Sequence, residues 1–181
     1  MEVFDTPIPL TTSDMSSDAL SPGELAFWVA INRVSGIGPA TFKALLDYFS
    51  DDAQAAWQAD RKTLAQAGLN SRVVDNLVKL RSTLSLAGEM EKLARQRVRL
   101  LTWRDAAYPP LLREIADAPP ILYTYGKLTD ADRFALAVVG TRNSSTYGKQ
   151  VTERMVTDLA KGQVTIVSGL ALGIDTIAHT A

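Results

Sequence analysis

The sequence contains no cysteine and only one histidine, His179. The absence of cysteine excludes a disulfide framework, a thiol nucleophile and a cysteine-based zinc site, and a single histidine excludes paired-histidine metal motifs. No apolar run approaches the roughly 20 residues that a membrane helix needs, and the first residues lack the basic start and apolar stretch of a signal peptide. We therefore expect a cytoplasmic protein that holds no metal and does not enter a membrane.

Charge is nearly balanced over the 181 residues, with a net charge of −1, but it is unevenly distributed. The first 22 residues contain four acidic residues and no Lys or Arg, whereas residues 61–104 are rich in Lys and Arg. A basic stretch is typical of a nucleic-acid-binding surface, although solvated helix faces explain it more simply. The charge pattern alone therefore leaves the class of partner open.

The start of the chain has the composition of a disordered segment. Residues 1–22 are rich in Ser, Thr, Asp and Pro, and their few apolar side chains cannot offset the entropy lost on ordering, so we predict a flexible leader. Ser21, Pro22 and Glu24 then match a helix start, with a capping box and a proline at the first helical position. This pattern predicts a helix that runs to about Val34.

A glycine hairpin, Gly36-Ile37-Gly38, interrupts the helical spacing and separates the first helix from a second one that begins at Pro39. Further helical patterns follow, including one long helix that continues past Leu84. We predict a small all-helical domain of the SAM-like or helix-hairpin-helix type over residues 23–96.

After residue 96 the spacing changes to that of strands, and residues 97–181 form the second predicted domain. Its clearest part alternates in the order strand, helix, strand, helix, over residues 134–139, 146–161, 164–167 and from 174 onward. Short loops between alternating strands and helices indicate a doubly wound parallel sheet. We therefore predict an α/β protein whose Rossmann-like sheet is incomplete, because only two such units are present, and expect the sequence to be a fragment.

Two turns of this predicted sheet carry residues suited to binding an anion. The first, Gly140 to Ser145, combines a glycine, hydroxyl side chains and the fixed charge of Arg142; the second runs from Ser168 to Gly173. The carboxyl ends of parallel strands lie at one edge of a sheet, where helix N-termini point free N–H groups at a ligand. Side by side, the two turns would form a phosphate-binding site.

Common nucleotide motifs do not fit these turns. No glycine follows Gly140 at the spacing of the dinucleotide fingerprint, and Gly148-Lys149 lacks both the Ser or Thr and the earlier glycine of a Walker motif. A Ser168–His179–Asp175 triad is disfavoured because the nucleophile-elbow motif is missing. We therefore expect no cofactor and no catalytic residue.

The order and spacing of several segments resemble the DprA (Smf) family of DNA-processing proteins. The resemblance is carried by Ala137 to Arg142, Tyr147-Gly148, Ile166 to Asp175 and Ala178-His179, and by Tyr108 to Leu112 and Pro119 to Tyr123 before them. Membership implies a protein that binds single-stranded DNA, helps to load the RecA recombinase during natural transformation, forms a homodimer when intact and has no established catalytic activity.

By position, Arg142 matches the family's phosphate-contacting arginine. The resemblance assigns further phosphate contacts to the two turns: Gly140, Thr141, Asn143, Ser168, Gly169, Leu170 and Gly173. Asp175 is expected to orient its turn instead, because a carboxylate beside a phosphate is unfavourable unless it is paired. Tyr147 is assigned to the core side of its helix rather than to a stacking role.

Two points stay open. The hairpin Gly36, Ile37 and Gly38 is either an accessory DNA contact through its backbone or only a packing turn. The alternative function is an enzyme, a nucleotide-binding phosphoribohydrolase of the lysine-decarboxylase-like group, which shares a related sheet and a glycine-rich phosphate turn.

Overall fold

The computed structural model describes residues 20–181, so the predicted leader lies almost entirely outside the described residues. The chain forms two compact units and passes from one to the other between Gly126 and Lys127. Within the described part, none of the helices has both the length and the apolar content needed to cross a membrane.

The first unit consists of helices followed by a small antiparallel sheet. Its elements are α1 (Pro22–Asn32), α2 (Pro39–Tyr48), α3 (Ala53–Gln58), α4 (Arg61–Gln66), α5 (Ser71–Thr83), α6 (Leu86–Arg95), β1 (Arg99–Thr102), α7 (Pro110–Arg113) and β2 (Ile121–Thr124). Strand β1 pairs with β2 so that Arg99 lies opposite Thr124 and Thr102 opposite Ile121.

Side chains at the helix starts explain where the helices begin. At α1 the Ser21 hydroxyl accepts the Glu24 N–H at 3.3 Å, and the Glu24 carboxylate accepts the Ser21 N–H at 2.8 Å, which confirms the predicted capping box. The hydrogen bonds from the Ser21 hydroxyl and amide hold the pKa of Glu24 below its usual value. Four later helices of this unit have a single capping bond, in which the side chain of Asp52, Asp60, Asn70 or Ser85 accepts a backbone N–H of the first turn.

The helix that was predicted to continue past Leu84 is in fact two helices, α5 and α6. Leu84 has an extended backbone with ψ of 122°, and the Ser85 hydroxyl accepts the Gly88 N–H at 3.1 Å to start α6. Both helices contribute to one apolar core, so the apolar pattern continues across the break. Helix α4 is a further difference, because the sequence analysis did not predict it.

Three aromatic rings form the centre of the first unit's core. Trp28 lies 5.1 Å from Phe42 and 5.4 Å from Trp103 between ring centroids, and Trp103 follows directly after β1. Ile121 at the start of β2 belongs to the same buried cluster. Because the two strands pack with the helices, the compact units separate after Gly126 and not near residue 96, where the sequence analysis placed the boundary.

The second unit contains a short parallel sheet with two helices. Its elements are a 3₁₀ turn (Asp130–Arg133), β3 (Ala135–Ala137), α8 (Thr146–Lys161), β4 (Thr165–Val167) and α9 (Ile174–Thr180). Strand β3 pairs in parallel with β4, with Leu136 opposite Ile166. The predicted order of strand, helix, strand, helix is confirmed, and α8 has the predicted bounds. Several apolar side chains of this unit are exposed, although a parallel sheet normally has both faces covered.

Candidate nucleic-acid interface

The two predicted phosphate turns lie against each other in the second unit. The Ile174 N–H donates to the Thr141 carbonyl at 3.2 Å. Gly173 has a φ of +88°, and a Cβ atom at this position would lie 2.5 Å from the Arg142 carbonyl oxygen and closer still to that of Thr141. A Cβ at Gly140 would lie 2.6 Å from Cγ1 of Ile174. The two glycines are therefore required for the backbones to approach this closely.

A second set of hydrogen bonds holds the turn after β4 in place. The Ser168 hydroxyl donates to the Val138 carbonyl at 2.8 Å, and the Gly169 N–H donates to Oδ2 of Asp175 at 2.9 Å. Asp175 is 7% exposed, and its contact agrees with the predicted role of orienting the turn. The Ser168 hydroxyl proton and the Gly169 N–H are thus used within the protein, so these two residues shape the turn in this structure.

The hydrogen bonds of Ser168, His179 and Asp175 are not those of a catalytic triad. The imidazole Nε2 of His179 lies 3.3 Å from the backbone carbonyl oxygen of Ser168, while the Ser168 hydroxyl donates to a different residue. Asp175 accepts a backbone N–H and not the imidazole. A nucleophile needs a base within hydrogen-bonding reach, and Ser168 has no such contact.

An open pocket of about 660 Å³ lies beside the first turn, at the start of α8. Its polar lining consists of Arg142, Asn143, Ser144, Ser145, Lys149 and Thr176, and its remaining lining consists of Leu172, Gly173 and Ile177. The lining contains two cationic side chains and no carboxylate. Such a pocket suits an anion of the size of a nucleotide unit.

The N-terminus of α8 lies at the edge of this pocket, which Ser145 and Lys149 line. Ser145 caps the helix by accepting the Gly148 N–H at 3.1 Å, which leaves the N–H groups of Thr146 and Tyr147 without an acceptor in the helix. The positive end of the helix dipole lies at the same place, and the first turn contains no acidic residue. Helix N-termini of this kind bind phosphate groups.

Neither cation of the pocket is neutralised within the described part of the chain. The ion pairs among residues 20–181 involve five other arginines: Arg33, Arg61, Arg95, Arg104 and Arg133. Arg142 is exposed, and so is Lys149. Their charges are therefore available to an external anion.

The other predicted contacts of the two turns have different environments. The Thr141 hydroxyl forms a hydrogen bond within its own turn, where it accepts the Asn143 N–H at 3.2 Å. Leu170 has a φ of 55°, which is unusual for a residue with a side chain, and it is 81% exposed. Neither Gly140 nor Leu170 lines the pocket, whereas Arg142, Asn143 and Gly173 do.

Two polar residues of the pocket, Lys149 and Thr176, were not identified from the sequence, whereas Ser144 and Ser145 belong to the first predicted turn. The signal for Lys149 was its position one turn after the Ser145 cap, since side chains near a helix start point back toward the N-terminus. Tyr147 differs from its predicted core position, because its side chain is 76% exposed.

The hairpin at Gly36 belongs to the first unit and packs against α5. A Cβ atom at Gly36, where φ is +98°, would lie 2.7 Å from Cγ2 of Val73, and Nδ2 of Asn76 donates to the Ser35 carbonyl at 2.8 Å. Ile37 is buried, so its side chain has a packing role. A DNA contact through the hairpin backbone, at or near Gly38, remains a prediction.

Comparison with known proteins identifies the family of this chain. Residues 99–181 match the family model described as DNA recombination-mediator protein A. The chain is 32% identical over 167 residues to Protein Smf of Synechocystis sp.. This alignment covers 90% of the chain and 42% of that protein. It is 46% identical over 74 residues to Protein Smf of Escherichia coli, in an alignment that covers 41% of this chain and 20% of that protein.

The fold is also similar to a solved structure. The X-ray structure of DNA processing protein A (DprA) from Streptococcus pneumoniae matches with a TM-score of 0.61 and 28% identity, covering 86% of this chain and 52% of that chain. The chain thus spans about half or less of the length of these relatives. Both juxtaposed turns lie inside the matched region. The chain belongs to the DprA/Smf family and has an α/β fold, as its sequence motifs predicted.

Proposed function

We propose that this chain supplies a binding site for single-stranded DNA in a DNA-processing protein that acts in recombination and natural transformation. The names of its relatives, DNA processing protein and recombination-mediator protein, support a role in DNA processing. Binding is independent of base sequence, because the proposed contacts are made to backbone phosphates, which are the same for every sequence.

The observation that carries this proposal is the environment of Arg142. Arg142 lines a pocket with no carboxylate at the start of α8, and it forms no ion pair among residues 20–181. A guanidinium matches the oxygens of a phosphate in a bidentate geometry. The Gly140–Ile174 and Gly173–Arg142 contacts hold its backbone at this position.

We propose a binding function without a catalytic step. Ser168 and Asp175 form hydrogen bonds that position the second turn. The pocket lining contains no carboxylate that could act as a base. No observation favours the phosphoribohydrolase alternative over the family to which the chain belongs.

RecA recombinase and a second copy of the chain are the partners that the family resemblance implies. We propose both for the intact, longer protein. In this scheme, capture of the strand in the Arg142 pocket precedes the transfer of RecA to it, so strand binding is the step to test first.

The test is fluorescence anisotropy of labelled single-stranded DNA, at about 50 and 200 mM salt, with the chain and its Arg142→Ala variant. The chain is expected to bind the strand more tightly at low salt, and the variant to bind all base sequences about tenfold more weakly. Loss of one phosphate contact lowers the slope of log affinity against log salt by about 0.7 for a single strand.

Arg154→Ala is the matched control, because Arg154 is exposed on α8, outside the pocket, and its replacement removes the same charge. It is expected to change the affinity much less than Arg142→Ala. Equal affinities of the two variants contradict the assignment of Arg142, and no binding by the unmodified chain at low salt contradicts the proposed function.

A further inference from the structure

Lys149 is a second cation at the start of α8, and nothing in the comparisons assigns it a role. It is the fourth residue of the helix, and its N–H closes the first helical hydrogen bond, to the Ser145 carbonyl at 2.9 Å. Helical side chains point back toward the N-terminus, and Lys149, in the first turn of α8, lines the same pocket as Arg142.

This is an unfavourable place for a lysine when no anion is bound. The helix dipole disfavours a cation at the N-terminus, and the first turn provides no acidic residue to offset it. Arg142 brings a further positive charge to the pocket, and Lys149 forms no ion pair within the described residues. An anion bound between these groups removes the repulsion among them.

A second observation is independent of charge and concerns Ser144. Its hydroxyl oxygen is buried and has no hydrogen-bond partner, although the residue lines the pocket between Arg142 and the helix start. Buried hydroxyl groups are normally hydrogen-bonded, and those without a partner call for an explanation such as a ligand. Ser144 itself is half-buried, so a rotation about its Cα–Cβ bond would bring this hydroxyl to the pocket surface, where it can donate a hydrogen bond to a phosphate oxygen.

We infer that Lys149 and Ser144 bind a second phosphate of the strand, next to the one held by Arg142. This inference rests on the proposed function and extends it, because it makes the α8 N-terminus a site for two consecutive backbone phosphates. The pocket is large enough for more than one phosphate group, and its lining is cationic or neutral throughout.

The test compares Lys149→Gln, Arg142→Ala and the double variant in the same anisotropy assay. Lys149→Gln is expected to bind the strand about three- to fivefold more weakly, as for a partly exposed ion pair. Each single variant lowers the salt slope by about 0.7 and the double variant by about 1.4, because two different phosphates lose their contacts. Lys149→Arg keeps the charge and is expected to retain most of the affinity.

Arg154→Gln serves as the matched control on the same helix. If Lys149→Gln binds as tightly as Arg154→Gln while Arg142→Ala is weakened, the proposed function stands and the role of Lys149 is wrong. If the double variant lowers the slope no further than Arg142→Ala alone, Lys149 holds no separate phosphate. A Ser144→Ala variant that keeps full affinity contradicts the hydroxyl contact.

Discussion

Gly173 lies so close to Arg142 that a Cβ atom on the glycine would be 2.5 Å from the arginine's carbonyl oxygen. The turn after β4 thus sets the backbone position of the residue proposed to bind phosphate, although 31 positions separate the two in the sequence.

Gly173→Ala is expected to destabilise the second unit. The new methyl group meets backbone atoms that cannot move aside, and a φ of +88° is strained for any residue with a side chain, so we expect a loss of about 3 kcal/mol. Amide hydrogen exchange measures this loss, and we expect faster exchange in peptides from α8 and α9.

Gly148→Ala is the control. Its new methyl group makes only ordinary van der Waals contacts, and alanine in place of glycine is expected to stabilise the helix by up to about 1 kcal/mol. Unchanged exchange in Gly173→Ala contradicts the packing described.

Asp175→Ala is expected to leave the Gly169 N–H without its acceptor. A buried group that loses its partner costs about 1–3 kcal/mol, so the Gly169 amide proton should exchange with solvent about tenfold faster or more. Asp175→Asn keeps an oxygen acceptor and is expected to preserve most of the protection. Equal exchange rates in both variants are the result that contradicts a positioning role.

Gly38→Asp tests whether the hairpin of the first unit contacts DNA. A Cβ atom at Gly38 meets nothing within 4 Å, and Gly38 is the N-cap of α2 without a capping side chain, so Asp is expected to preserve or slightly increase stability. If the backbone here contacts a phosphate, the new carboxylate repels it and weakens strand binding. Gly38→Asn is the uncharged control, and equal binding by the two variants assigns the hairpin to packing alone.

The parts of the fold that sequence analysis predicted correctly depend on local signals. Helix α8 has the predicted bounds because Ser145 at its start and Gly162 at its end mark a helix by their own chemistry. The break between α5 and α6 at Leu84 was not predicted, because the apolar spacing of the two helices continues through it. The compact units separate further along the chain than the boundary predicted near residue 96, because the β1–β2 pairing and the contact between Trp103 and Trp28 join distant parts of the sequence.

In the candidate site, too, the features set by local sequence were predicted, and those set by contacts between distant residues were not. Arg142, Asn143 and Gly173 were identified because the sequence motif contains them, and the structure places all three at one pocket. The partners of Ser168 and Gly169 are set by the folded arrangement of two separate turns, which no local pattern reports. In the sequence Lys149 belongs only to an incomplete Walker motif, and its place at the pocket depends on where the Ser145 cap starts α8.

The bond from the Ser168 hydroxyl to the Val138 carbonyl ties the end of β4 to the end of β3, on the opposite side of α8 in the sequence. Together with the glycine contacts between the turns, it fixes the relative position of the two turn backbones. If the proposed function holds, the protein backbone of this site is ordered in advance, and the protein's loss of conformational entropy on binding is confined largely to the exposed side chains of Arg142 and Lys149.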